Sequence, residues 1–261
     1  MAHVKGSLLE RALRRDRALV VFGLLLVVAV SWAHVLSGAG VMQEMDGMLM
    51  PIGDGSWTPG HAALIVSMWA VMMAAMMLPS AAPMILFYSA IARRRSEAEP
   101  AAAAAGVFSL GYLAVWAIFS LAAATLQFGM ELTALMSPAM KTTSIALAGT
   151  VLIAAGVYQW TPLKQACLRR CRSPLEFVML HWRAGTRGAF TMGFRHGVYC
   201  VGCCWLLMLL LFIGGVMNFA WIAGISLFIL VEKTAPAGRW VSRSTGAILA
   251  AWGLVTLLAR I

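Results

Sequence analysis

The chain has 261 residues, of which 61% are hydrophobic and only 11% charged, with a formal net charge of +10. Soluble domains run nearer half apolar and a quarter charged, so that class is excluded. A nucleic-acid partner is excluded as well. The basic residues are not gathered into one face or tail but stand in short blocks between apolar runs, as membrane topology requires.

Seven runs come near the ~20 residues that cross a bilayer. In chain order they cover residues 18–36, 61–91, 102–128, 142–160, 191–213, 216–231 and 245–259. The expected fold is all-α: a polytopic transmembrane helical bundle forming a single integral membrane domain over 1–261. The first run follows Arg11, Arg14, Arg15 and Arg17. It is long for a secretory signal and is read as an uncleaved span. With the N-terminus inside, 18 of the 20 Lys and Arg fall on the inner side, and Lys141 and Arg260 remain outside. This bias predicts an N-in, C-out orientation.

The first outer loop, residues 37–60, carries Glu44, Asp46 and Asp54 with Met42, Met45, Met48 and Met50. It reads either as a collector of metal cations or as a solvated loop resting on the bilayer.

The second run contains Met68, Met72, Met73, Met76, Met77 and Met84. On a helix, Met68, Met72 and Met76 fall within an arc of roughly 80°. Met73 and Met77 form a row beside them. Thioether rows serve either as adaptable packing or as soft ligands for Cu(I). Pro79 and Pro83 lie near the far end of the run and predict a kink.

Between the fourth and fifth runs, Cys167 and Cys171 are one helical turn apart among Arg169, Arg170 and Arg172. They read as an inner metal-handling or redox pair, or as small residues on an interfacial helix. C-x-x-x-C is not a zinc-finger spacing.

The fifth run supplies His196, Cys200, Cys203 and Cys204 within an arc of roughly 100° on a helix. Met208 follows one turn later. Thiolates and thioethers select Cu(I), and imidazole tolerates it. Gly193, Gly197 and Gly202 would let a neighbouring helix approach closely. If the second and fifth runs cross the bilayer straight, the methionine and cysteine faces lie at similar depth. The expected Cu(I) site takes Cys200, Cys203, Cys204, His196, Met68, Met72, Met73, Met76, Met77 and Met208 as candidate ligands. In the sixth run, Asn218 reads as a cross-helix hydrogen-bonding residue. Glu232 reads as a structural partner of Lys233 or of an inner arginine.

Three blocks stand out in order: M-W-A-V-M-M-A-A-M-M-L-P-S-A-A-P, Y-Q-W-T-P-L-K-Q-A-C-L-R-R-C-R-S-P, and G-V-Y-C-V-G-C-C-W-L-L-M-L-L-L-F-I-G-G-V-M-N followed by V-E-K. Together they resemble the bacterial "predicted metal-binding integral membrane protein" family, whose members are often labelled copper chaperones. The resemblance covers roughly residues 62–238, and none of the three blocks departs from it. It implies metal binding in the bacterial inner membrane.

The leading expectation is therefore a non-enzymatic copper chaperone. It would supply Cu(I) to a recipient cuproenzyme of the membrane or periplasm, such as a particulate monooxygenase or a haem–copper oxidase. A copper transporter is the first alternative, although no G-x-x-x-x-G-K-[ST] motif is present. A metal-free assembly subunit is the second. A haem protein with His34, His61 or His196 as axial ligands is the weakest, and no C-x-x-C-H occurs. The expected partners are the lipid bilayer and a recipient cuproenzyme.

Overall fold

The computed structural model describes residues 2–45, 48–51, 57–95, 100–137 and 140–259, with side chains described from residue 17 onward apart from residues 42–51. The described residues are mostly helical, with one small hairpin among them. The helices are α1 (Ala2–Leu36), α2 (Pro59–Arg95), α3 (Ala101–Leu132), α4 (Ile145–Tyr158), α5 (Pro162–Arg172), α6 (Pro174–His181), α7 (Gly185–Leu209), α8 (Leu211–Gly214), α9 (Phe219–Thr234) and α10 (Gly238–Leu258). The hairpin lies between α1 and α2 and pairs β1 (Met42–Met45) with β2 (Met48–Pro51) antiparallel. Asp46 and Asp54 fall outside the described residues, as do the side chains of Glu44 and the loop methionines. The expected metal-collecting loop therefore rests on groups outside the described set.

Among the described residues, five segments are long and apolar enough to cross a membrane: 17–36, 59–95, 101–132, 185–214 and 238–258. A sixth arises if α4 and α5, bent by 64° at their junction, count as one broken span. The seven expected runs thus correspond to helices; the fourth is shorter than foreseen, and the sixth is as short as the sequence indicated. α4 has 14 residues and α9 has 16. At ~1.5 Å per residue, α9 reaches about 24 Å, short of a ~30 Å hydrocarbon core.

Local signals explain these limits. Ser144 caps α4 by accepting from Leu147 N at 3.2 Å. Thr161 caps α5 through Lys164 N, with Pro162 in the first turn, where a missing N–H costs nothing. Asn218 caps α9 through Trp221 N, and its amide donates back to Gly214 O at 3.2 Å. The expected cross-helix role of Asn218 is thus replaced by a cap. Gly215, at φ 100°, makes the turn that separates α8 from α9.

Pro79 and Pro83 sit inside α2. Proline offers no N–H to the carbonyl four residues back, so Pro79 leaves the Ala75 carbonyl free. Three neighbouring helices bond to this part of α2. Trp32 Nε1 of α1 donates to Ala75 O, Ser226 Oγ of α9 to Met76 O, and Tyr112 OH of α3 to Met77 O, each at 3.2 Å. The proline segment is therefore a hub for α1, α3 and α9.

α7 packs chiefly on α3 and then on α5, while α2 packs on α3 and α1 and α4 on α10. Small residues make the α3–α7 approach possible. A side chain at Gly193 would run into the Phe108 backbone, and one at Gly111 into the backbone of Phe190 and Phe194. Outward faces remain apolar: Phe22, Leu25, Ile118, Leu121, Leu227, Trp240 and Val255 are all exposed. Such surface is stable in lipid and would aggregate in water.

Candidate metal centre

Both sulfur-bearing faces are buried. Met68, Met72, Met73, Met76 and Met77 have no exposed surface, nor do Cys200, Cys203, Cys204 and Met208. All belong to one continuous apolar core.

The two faces do not meet as simply as the sequence implied. α2 and α7 are joined through side chains of α3 and α9. Lys233 Nζ of α9 donates to Cys200 Sγ at 2.8 Å and to Ser80 Oγ of α2 at 3.0 Å. Tyr112 OH of α3 lies 3.1 Å from Cys200 Sγ and also reaches Met77 O. Cys200 therefore sits at the level of Met77 and Ser80, and the depth match expected from the sequence holds at that point.

The Cys203 and Cys204 thiols turn back to their own helix and donate to the Cys200 carbonyl at 3.1 and 3.0 Å. Among the described residues, no three His, Cys, Asp or Glu side chains are preset around a common point as a metal site. The helical periodicity brings the sulfurs to one face, and their rotamers are spent on hydrogen bonds. Rotation about χ1 is what would turn them onto a single ion.

His196 lies one turn before Cys200. Its ring is enclosed by Tyr112, Phe108 and Phe177, with centroids 5.7, 6.1 and 5.5 Å away. Its Nδ1 is buried with no hydrogen-bond partner among the described residues. An unpaired buried imidazole nitrogen costs free energy and is a ready donor to an ion.

The inner cysteine pair joins the same region. α5 folds against α7, and Cys167 lies against Gly202, where an added Cβ would sit 2.8 Å from its sulfur. The thiol of Cys171 interacts with Cys203, as do those of Cys200 and Cys204. Cys171 is half-buried, so it is the edge of an otherwise enclosed cluster. α5 is fastened by Lys164, whose Nζ lies 2.7 Å from Glu232 Oε1 with both side chains fully buried. Arg172 adds hydrogen bonds to the Ala235 and Pro236 carbonyls. Glu232 thus pairs with Lys164, not with Lys233 or an inner arginine. Adjacent helix positions point about 100° apart, which leaves Lys233 to the cysteine side.

Tyr112 and Ser80 were not among the residues singled out from sequence, Cys171 was read only as half of an inner pair with Cys167, and Lys233 only as a partner of Glu232. Lys233 lies just past the sixth apolar run and was counted with the inner-face charges, so hydropathy did not mark it as buried. The apolar grooves of the surface, lined by Leu19, Leu24 and Leu110 on one side and by Leu126, Leu147 and Phe212 on another, lie apart from this cluster.

A family model described as "PpoB2: Copper chaperone" matches residues 66–256. The chain belongs to this copper chaperone family. The match spans α2 to α10 and so extends past the three sequence blocks to include the last helix. No curated protein and no solved structure matches. Membership in the copper chaperone family supports a copper-related role for the chain. Within the PpoB2 match lie every cysteine, both methionine rows, His196 and Lys233.

Proposed function

We propose that this protein holds Cu(I) inside the bacterial inner membrane and passes it to a cuproenzyme of the membrane or periplasm. The observation that carries this reading is the gathering of Cys171, Cys200, Cys203 and Cys204 in one packed region that shares its core with two rows of buried methionines. The donor set fits the ion. Thiolate and thioether are soft and suit Cu(I), and the thioethers set the site apart from zinc sites, whose ligands are Cys, His, Asp and Glu. Cys200 and Cys204 are one turn apart and can both approach one ion, and Cys203 can replace either. Met72 or Met76 would close the shell from α2, and His196 would bind from the inner side.

Copper stoichiometry of the reduced, purified protein tests this reading, together with X-ray absorption of the loaded form. A sulfur-dominated shell is expected, and it should vanish in a Cys200/Cys203/Cys204→Ser triple variant. A nitrogen and oxygen shell, or unchanged stoichiometry in the triple variant, would refute it.

Transport is the second reading. It is favoured by the continuation of buried sulfur through Met130, Met140 and Met217, all at most 6% exposed. Cu(I) uptake into sealed vesicles containing the protein alone separates the two. Uptake marks a transporter, and copper release only to an added acceptor marks a chaperone.

A further inference from the structure

Lys233 is a lysine in the interior of a membrane bundle with no acidic partner among the described residues around it. Its nitrogen touches Cys200 Sγ at 2.8 Å and Ser80 Oγ at 3.0 Å. The other titratable groups facing it are Tyr112 from α3, Cys203, Cys204 and His196 from α7, and Cys171 from α5. These are a phenol, three thiols and an imidazole. The neighbouring carboxylate, Glu232, is engaged by Lys164 on the far side of α9. An ammonium is costly in low dielectric unless an anion balances it. The structure provides the thiols of Cys200, Cys203 and Cys204 beside it but no carboxylate among the described residues.

We propose that Lys233 is the counter-charge that fixes the bound species as a bis-thiolate Cu(I) anion. The inference rests on the Cu(I) reading above. The charge count selects the species. Cu(I) with two thiolates carries one negative charge, and Lys233 makes the assembly neutral. Cu(I) with one thiolate, or a divalent ion with two, leaves a net positive charge buried. Loading is a ligand exchange in which a bis-thiolate Cu(I) donor gives up copper to two cysteine thiols. Two Cu–S bonds break on the donor and two form on the protein. The two protons released by the cysteines pass to the donor thiolates. Lys233 does not bind the metal. It positions Cys200 through an N–H···S hydrogen bond, and charge-assisted bonds of this kind are the strong ones. Ser80 holds the amine in place from α2. The Tyr112 hydroxyl, shared between Cys200 Sγ and Met77 O, supplies a second donor once the sulfur becomes a thiolate.

The test is Cu(I) titration of reduced protein in detergent against a chromophoric Cu(I) chelator, for wild type, Lys233→Met and Lys233→Arg. If wild type binds no Cu(I), the copper reading itself fails. If wild type binds, Lys233→Met should bind about 100-fold more weakly, and Lys233→Arg should recover most of that loss. A purely structural lysine would lower the stability of the copper-free protein when replaced. Here the copper-free Lys233→Met variant should unfold at the same temperature as wild type or higher, because an isosteric apolar residue removes an unbalanced charge. A Lys233→Met variant within about threefold of wild-type affinity, with the same sulfur shell by X-ray absorption, would overturn the proposal. A measurement on wild type alone guards against a variant that does not fold. Calorimetry in buffers of different ionisation enthalpy, with Cu(I) supplied by a chelator that takes up no proton on losing it, should count two protons released per Cu(I). Release of a single proton would overturn the proposal equally.

Discussion

The indole of Trp32 donates to the Ala75 carbonyl at 3.2 Å, and that carbonyl is the one Pro79 leaves without its helical partner. A break in one helix is thus repaired by a side chain of another, and α1 is anchored to α2 at the depth of the methionine rows. Trp32→Phe removes the donor, and an unpaired buried carbonyl costs about 1–3 kcal/mol. Pro79→Ala restores a backbone N–H for Ala75 and should suppress most of the Trp32→Phe loss. A double-mutant cycle on detergent unfolding checks the coupling. Additive single effects would mean that the two residues are independent.

The methionine rows are fully buried, which fits packing and ligation equally, so only a chemical change separates them. Met72→Leu with Met76→Leu keeps the volume and should cost less than ~1.5 kcal/mol of stability per site. Expression and unfolding should stay near wild type while Cu(I) affinity falls. Unchanged affinity would make the rows packing alone and leave the cysteines as the whole site.

Glu232 and Lys164 are both fully buried at 2.7 Å and join α9 to the helix that carries Cys167 and Cys171. Glu232→Gln leaves the lysine charge without its partner and should cost about 3–5 kcal/mol, measured by thermal or denaturant unfolding. Replacing both, as Glu232→Gln with Lys164→Met, should recover much of that loss. The α5 helix should loosen in the single variant, and faster alkylation of Cys171 would report it. A protection pattern like that of wild type would show that Arg172 and packing suffice to hold α5.

Orientation rests on the Lys and Arg bias, and the structure removes two residues from that count. Lys164 and Lys233 are core residues, so the inner-face signal is carried mainly by arginines such as Arg93, Arg94, Arg95, Arg169 and Arg170. Reporter fusions at Trp182 should be active only with an inside-reporting partner, and fusions at Ser137 only with an outside-reporting one. The opposite pattern at either position would overturn the N-in orientation.

The amino-acid sequence by itself determined what is local. Hydropathy marked the helical runs, because a chain in lipid must satisfy its backbone hydrogen bonds within helices. Helical periodicity put Met68, Met72 and Met76 on one face and Cys200, Cys203 and Cys204 on another. The glycines of the fifth run announced a close neighbour, found as the α3 backbone against Gly193. Periodicity is a property of one helix, so it could not say which helices would touch. Tertiary packing decided that Cys200 meets Lys233 and Tyr112, that Cys171 swings in beside Cys203 through the 64° bend after α4, and that Glu232 turns away to Lys164. Adjacent Glu232 and Lys233 read along the chain as a self-contained pair. They separate because successive side chains on a helix point about 100° apart, and each buried charge goes to the partner its own direction offers.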